Sequence, residues 1–345
     1  MKKFTYLLIL TTMCFFSCEK EEIEGPSLND LFGQLSIIED FRVVGDSASF
    51  TNGSVYFTAE FSKIVDWKIT ITGLSSGGKK IIAGKSNKIN AANSMWDGEV
   101  SYLPFFVNES CAVRLTFDAH PDTINDFLII TEAKTYGNGS EVIIADFEAG
   151  WNPNFGEFFN SGMVRKIESP GAGQGTRYMV QESAPNGCPW DWLIGYVDYY
   201  FDYWLQPTTL NADPDNVYFN IMIHGDSTLS PDNVPNSLFK IEFYEDENQD
   251  GFWSQNNEDM LFHEFLVDWN GWKMISIKYS DLEISGAALN GGSGNKIREP
   301  NKLTKVRTLL LADPYDQADL NSCSGFAKAD VDYIVWSEGS PILDQ

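Results

Sequence analysis

Short runs in which apolar and polar residues alternate one by one dominate this chain, and clusters of Gly, Asn, Asp and Ser separate them. Successive side chains of an extended strand point to opposite faces, so a period of two predicts half-buried strands. In WKITI, for example, Trp67, Ile69 and Ile71 share one face while Lys68 and Thr70 share the other. No long stretch carries the helical period. The pattern predicts an all-β protein.

Two units are expected. In 35–136, strands are predicted at SVYFTAEFS, DWKITITGL, AVRLTFDA and DFLIITEA. Roughly 100 residues with about seven short strands suit an Ig-like β-sandwich, although the Cys-Trp-Cys spacing of antibody domains is missing. YGNGSEV, from Tyr136 to Val142, reads as a linker. In 141–340, strands are predicted at VIIADFE, RYMVQES, LIGYVDYYF, VYFNIMIHG, LFKIEFYED, MLFHEFLVD, WKMISIKYS, VRTLLLAD and ADVDYIVWS. Long irregular loops join them, which suits the two packed sheets of a larger jelly roll.

The first residues break the pattern. Lys2 and Lys3 precede an apolar run, Phe4 to Phe16, too short to span a bilayer, so 1–17 reads as a signal peptide. Ser17-Cys18 at its end resembles a bacterial lipobox. That resemblance implies that Cys18 is lipidated and that 18–34 is a tether; the alternative is plain secretion, with Cys18 removed or paired. Glu19-Lys20-Glu21-Glu22 resembles the surface-export signal of Bacteroidetes lipoproteins, which implies a lipid-anchored place on the outer membrane, facing the cell exterior.

Charge narrows the ligand class. The chain holds 49 acidic and 24 basic residues, a net charge of −25. Such a field repels nucleic acid and anionic lipid surfaces and suits neutral ligands or cations. Beyond the leader and Cys18, the cysteines are Cys111, Cys188 and Cys323. In an oxidising compartment there is room for one disulfide, expected between Cys188 and Cys323.

The densest chemistry lies in NGCPWDWLIGYVDYYFDYW, Asn186 to Trp204. Taken as a strand, its odd positions Leu193, Val197, Tyr199 and Phe201 form a core face. Its even positions Trp192, Ile194, Tyr196, Asp198, Tyr200, Asp202 and Trp204 mix rings with carboxylates. Burying Asp198 and Asp202 without partners is costly, so the even face is expected to be wet. Rings beside carboxylates suit sugars: the C–H face of a pyranose stacks on the ring, and its hydroxyls donate to the acids. Glycan contact is therefore expected at Trp192, Tyr196 and Tyr200, with Trp190 and Trp204 at the ends of the run. The alternative is that a loop folds these rings into the core. Alternation in VYFNIMIH and LFKIEFYE turns Tyr218, Asn220, His224, Glu242 and Tyr244 away from the core. One sheet is expected to present them as a concave polar wall, the alternative being an ordinary solvated face.

ADFEAGW, WNGWKMISIKYSDL and ADVDYIVWS are similar to the galactose-binding-like β-sandwich of carbohydrate-binding modules. ITGLSSGGKKIIAGKSNKI is similar to small sandwich spacers near the membrane end of Bacteroidetes lipoproteins. The whole resembles a surface glycan-binding lipoprotein of a polysaccharide-utilisation system. That resemblance implies a non-catalytic protein that holds polysaccharide or oligosaccharide beside an outer-membrane transporter. A jelly-roll hydrolase or lyase, or an adhesive lipoprotein, is the alternative.

Two metal loops are expected. In DENQDGFWSQNNED, Asp246, Asn248 and Asp250 place hard oxygens at alternate positions before a Gly, as in calcium loops. Asn257 stands where the distal Glu would, so Glu258 or Asp259 is expected to close the shell around Ca²⁺. The resemblance to sandwich modules further implies a structural Ca²⁺ between the first and last strands, held by Glu148 and Asp332. The chain has no H-E-x-x-H or C-x-x-C motif.

Overall fold

The computed structural model describes residues 34–45, 47–51, 53–118, 120–136, 139–159, 164–182, 193–200, 210–226, 237–286, 293–312 and 327–343. Strands dominate these residues and helix is confined to single turns, as expected of an all-β chain. None of the described helices is long and apolar enough to cross a membrane.

The first unit is one six-stranded sheet built from β1 (Ile37–Val44), β2 (Ser47–Ser49), β3 (Tyr56–Gly73), β4 (Lys79–Ile89), β5 (Ser110–Phe117) and β6 (His120–Glu132). Its order is β1-β3-β5-β6-β2, with β4 on the other edge of β3. Two expected strands, SVYFTAEFS and DWKITITGL, are a single 18-residue strand, β3. One end of β3 pairs with β1 and the other with β5, and its register against β4 slips between Glu60 and Val65. Trp67, Ile69 and Ile71 are buried together with Phe57 and Trp96 in this unit's core, as their parity requires. Cys111 is buried there as well, which raises its thiol to about 12. Alkylating reagents at pH 8 are therefore expected to spare Cys111 in the folded chain and to label it in urea. Labelling at equal rates in both states, read by mass spectrometry, would disprove that.

The second unit is a sandwich of two antiparallel sheets. Sheet I contains β7 (Val142–Ala145), β9 (Val164–Glu168), β10 (Tyr178–Glu182), β12 (Val217–Gly225), β15 (Gly271–Lys278) and β18 (Lys328–Glu338), in the order β15-β12-β18-β10-β9, with β7 also on β18. Sheet II contains β8 (Gly156–Phe159), β11 (Leu193–Tyr200), β13 (Ser237–Glu245), β14 (Met260–Leu266), β16 (Glu283–Ile284) and β17 (Leu303–Ala312), in the order β16-β14-β13-β17-β11-β8. All nine strands expected here are present. The three unexpected ones, β8, β9 and β16, are short and lie at sheet edges, where weak burial leaves little alternation to read. Between the sheets, Phe219, Phe243, Tyr279 and Trp336 pack around one another.

The outer face of sheet I is covered. Phe105 of the first unit packs with Met222, Met274, Tyr333, Val335 and Ile342. Its ring stacks on Tyr136 at 3.9 Å, and its amide donates to the Gly173 carbonyl at 2.9 Å. The first unit therefore docks on sheet I, across the sandwich from the outer face of sheet II.

Candidate functional site

Strand parity brings a set of rings and charges to the outer face of sheet II. On β11, Val197 and Tyr199 enter the core, while Tyr196, Asp198 and Tyr200 point outward. On β13, Phe239, Ile241 and Phe243 are core, which turns Lys240, Glu242 and Tyr244 out. On β17, Val306 and Leu310 are core, which leaves Lys305, Arg307 and Leu309 outside. The ladders then fix the rows. Phe262, Glu242, Arg307, Asp198 and Gly156 lie across five neighbouring strands in one row. Met260, Tyr244, Lys305 and Tyr200 form the row on one side. Glu264, Lys240, Leu309, Tyr196 and Phe158 form the row on the other.

Charges at the centre of this face are paired. Arg307 grips Asp198 with two hydrogen bonds, Nε at 2.6 Å and an Nη at 2.8 Å, and Lys305 Nζ lies 3.8 Å from the same carboxylate. The Tyr200 hydroxyl donates to Asp198 at 3.3 Å. Glu242 accepts from the Tyr244 hydroxyl at 2.5 Å and pairs with Lys240 at 3.0 Å. Cations also sit over the rings: Arg307 at 3.6 Å from Tyr196, Lys305 at 3.8 Å from Tyr244 and Lys240 at 4.8 Å from Phe262. Tyr196 stacks on Phe158 at 5.5 Å. Gly156 leaves room for Tyr200, whose hydroxyl would lie 3.0 Å from any Cβ placed there. Tyr196 and Tyr200 are half-buried and Phe158 is exposed.

Burial lowers the Lys305 ammonium from its ordinary value to about 8, with neighbouring Arg307 adding to the effect and Asp198 opposing it. The unfolded chain therefore binds this proton more tightly between pH 8 and 10.5, and stability gains from Lys305 as pH rises through that window. Urea melts of the parent and Lys305→Met are expected to show the parent gaining on the variant from pH 8 to 10.5, by at most about 1.4 kcal/mol per pH unit. A difference that shrinks over that range would contradict the assignment.

Several expectations need correction. Asp198 is not wet: it is 4% exposed, because Arg307 and Lys305 provide the partners that a lone carboxylate would lack. Ile194, expected outside, is in the core, since a bulge between Leu193 and Gly195 shifts the parity of β11. Tyr218, Asn220 and His224 do not share a wall with Glu242 and Tyr244. They lie on β12 in sheet I, whereas Glu242 and Tyr244 lie on β13 in sheet II. Asn220 is fully buried: its amide donates to the Val335 carbonyl and Ser337 Oγ, and its Oδ1 accepts from Ser276 Oγ and the Ile342 amide. His224 lies edge-on to Trp272, with Nδ1 3.7 Å from Asp330. Tyr218 is half-buried. Trp190, Trp192, Trp204, Cys18, Cys188 and Cys323 lie outside the described residues. Reading VRTLLLAD only as a strand missed Lys305 and Arg307; their signal was two basic residues at alternate positions beside an apolar run.

The acidic loop follows β13. Carboxylate oxygens of Asp246, Asp250 and Glu258 lie within 4.8 Å of one another. Backbone amides of Asp250 and Gly251 donate to Asp246, and Gly251 takes a φ of 91° that suits glycine. Asn248 Oδ1 accepts from the Asp250 amide at 2.8 Å. Of the two residues expected to close the shell, Glu258 joins the group and Asp259 does not. Asp259 is held by the Gly294 and Lys296 amides and by Lys296 Nζ at 2.6 Å. Burial, with Asp246 nearby, raises Glu258 above the usual carboxylate range. This loop borders the ring-bearing face: Trp253 meets Tyr244 edge-on at 4.9 Å.

Glu148 and Asp332 grip one loop from two sides. Glu148 accepts from the Thr176 and Arg177 amides, each at 2.7 Å, and Asp332 accepts from the Gln174 amide at 2.8 Å.

No protein-family model matches the chain. No curated protein matches it either. Among solved structures, it is similar to the family 11 carbohydrate-binding module of a cellulosomal cellulase from Clostridium thermocellum, at 15% identity and a TM-score of 0.36, over 60% of this chain and 97% of that one. The same type of module from Clostridium thermocellum, in complex with a β-1,3-1,4-mixed-linked tetrasaccharide, is similar at 16% identity and a TM-score of 0.36, over 59% of this chain and 97% of that one. A tandem of two family 22 carbohydrate-binding modules from Paenibacillus barcinonensis is similar at 11% identity and a TM-score of 0.33, over 89% of this chain and 93% of that one.

Proposed function

We propose that the outer face of sheet II holds a glycan chain without cleaving it. The observation that carries this reading is the set of rings and paired charges laid across five adjacent strands: Phe158, Tyr196, Tyr200, Arg307, Glu242, Tyr244 and Phe262. Five strands at about 4.8 Å spacing reach roughly 19 Å, the length of a short oligosaccharide. Arg307 and Lys240 offer N–H donors, and exposed ring surface at Phe158 and Tyr200 suits the apolar face of a sugar. Cations and hydrogen bonds already hold the rings in place, so little side-chain freedom is lost when a ligand settles.

Native gels containing a panel of plant, fungal and algal polysaccharides test this. The whole chain is expected to be retarded by at least one of them and to release no reducing ends or unsaturated products. Tyr200→Ala and Phe158→Ala are each expected to weaken retention by about 1 kcal/mol or more, with melting temperatures near the parent's. Free migration on every gel, or retention unchanged in both variants, would refute the assignment.

Two finer parts belong to the same reading. The leader and Cys18 support a lipid-anchored place on the outer-membrane surface beside a polysaccharide transporter; palmitate labelling of the parent, lost in Cys18→Ala, checks the anchor. The grouping of Asp246, Asp250 and Glu258 supports a Ca²⁺ that ties the loop beside Tyr244. Calcium at a hundredfold above its Kd stabilises by about 2.7 kcal/mol, so chelation is expected to lower the melting temperature. An unaltered melt after complete chelation rules the ion out.

A further inference from the structure

Where the two units meet, a cavity of about 630 Å³ opens between the segment following β6 and the bulged middle of β18. Both units line it: Phe105 and Tyr136 from the first, Ile143, Asp146 and Tyr333 from the second, with Glu141 from the connection between them. We infer that this cavity is a second binding site, separate from the outer face of sheet II, for a small organic cation: a protonated amine carried on an apolar body.

Its size lies in the range of small-molecule sites, which favour junctions between domains. Tyr333 marks it further. This residue takes a φ of 40°, which side-chain-bearing residues rarely adopt. The β18 ladders shift register around it, between Asn220 and Met222 on one side and between Ile334 and Val335 on the other. Bulges of this kind re-aim a side chain, and strained residues concentrate at ligand sites. Here the ring stands edge-on to Phe105 at 6.3 Å and forms part of the cavity wall.

The lining also selects by charge. Among the described residues that line it, the acids are Glu132, Glu141 and Asp146, and the one cation, Lys134, is tied to Asp97 and Glu99. With the chain at −25 overall, anions are disfavoured and cations drawn in. An apolar surface waits beside the acids: Ile143 is 54% exposed although it belongs to a strand, and the stacked rings of Phe105 and Tyr136 stand in the same cavity.

Calorimetric titration of the whole chain with benzylamine, benzyl alcohol and benzoate tests the inference. The three probes share a ring and differ in charge. Benzylamine is expected to saturate at millimolar concentration, the alcohol to bind at least about tenfold more weakly, and benzoate not to bind. Glu141→Gln and Asp146→Asn are each expected to weaken benzylamine about tenfold. No saturation by benzylamine, or equal binding of the alcohol, would overturn the site. Unchanged affinity in both variants would also overturn it. If either variant melts early, the ranking of the three probes on the parent decides alone.

Discussion

Replacing Arg307 with Met is expected to destabilise the chain by about 3–5 kcal/mol and to abolish glycan retention. Asp198 is 4% exposed, and Arg307 supplies both of its short hydrogen bonds. Without the guanidinium, the carboxylate stays buried with only Lys305 at 3.8 Å and the Tyr200 hydroxyl nearby. An uncompensated buried charge costs far more than an exposed ion pair contributes. The same substitution frees Tyr196, whose ring lies 3.6 Å from the guanidinium. Urea unfolding of the parent, Arg307→Met and Arg307→Met/Asp198→Asn checks the argument. The double variant is expected to regain most of the lost stability, because it removes the stranded charge as well as its partner. A single-variant cost below about 1 kcal/mol would mean that the pair behaves as an ordinary exposed bridge.

The second large effect is expected at the seam. Phe105 is buried among Met222, Met274, Tyr333, Val335 and Ile342, and its backbone also bonds to Gly173. Phe105→Ala removes the ring that both units share and leaves a void among side chains held by two separate sheets. The expected loss is about 3–5 kcal/mol, with the heat-unfolding transition splitting in two as the units lose their coupling. Calorimetry that shows one undivided transition, at the parent's temperature, would show that Phe105 does not couple the units.

Parity made much of the second unit legible. A period of two separates core from surface, so Val197 and Tyr199 read correctly as inside, and Tyr196 and Tyr200 as outside. Ile194 failed because a bulge adds one residue to β11 and reverses the faces beyond it, a local event that composition does not announce. β8, β9 and β16 were invisible for a related reason: edge strands bury little, and alternation is a record of burial. In the acidic loop, spacing marked out Asp246 and Asp250 but could not choose which of Glu258 and Asp259 would group with them. Lys296, far along the chain, made that choice by holding Asp259.

Side-chain alternation, a backbone property felt within a few residues, was enough to declare an all-β chain, to locate its principal strands and to say which rings face outward. Which strands became neighbours was settled elsewhere. Asp198 and Arg307 are 109 positions apart, and β12 and β13 follow one another in the chain yet lie in opposite sheets. Local periodicity carries no record of pairing across such distances; pairing follows from packing every apolar face at once. That packing, rather than any motif, joined Arg307 to Asp198, sent Asn220 beneath the C-terminal segment and opened a cavity between the units.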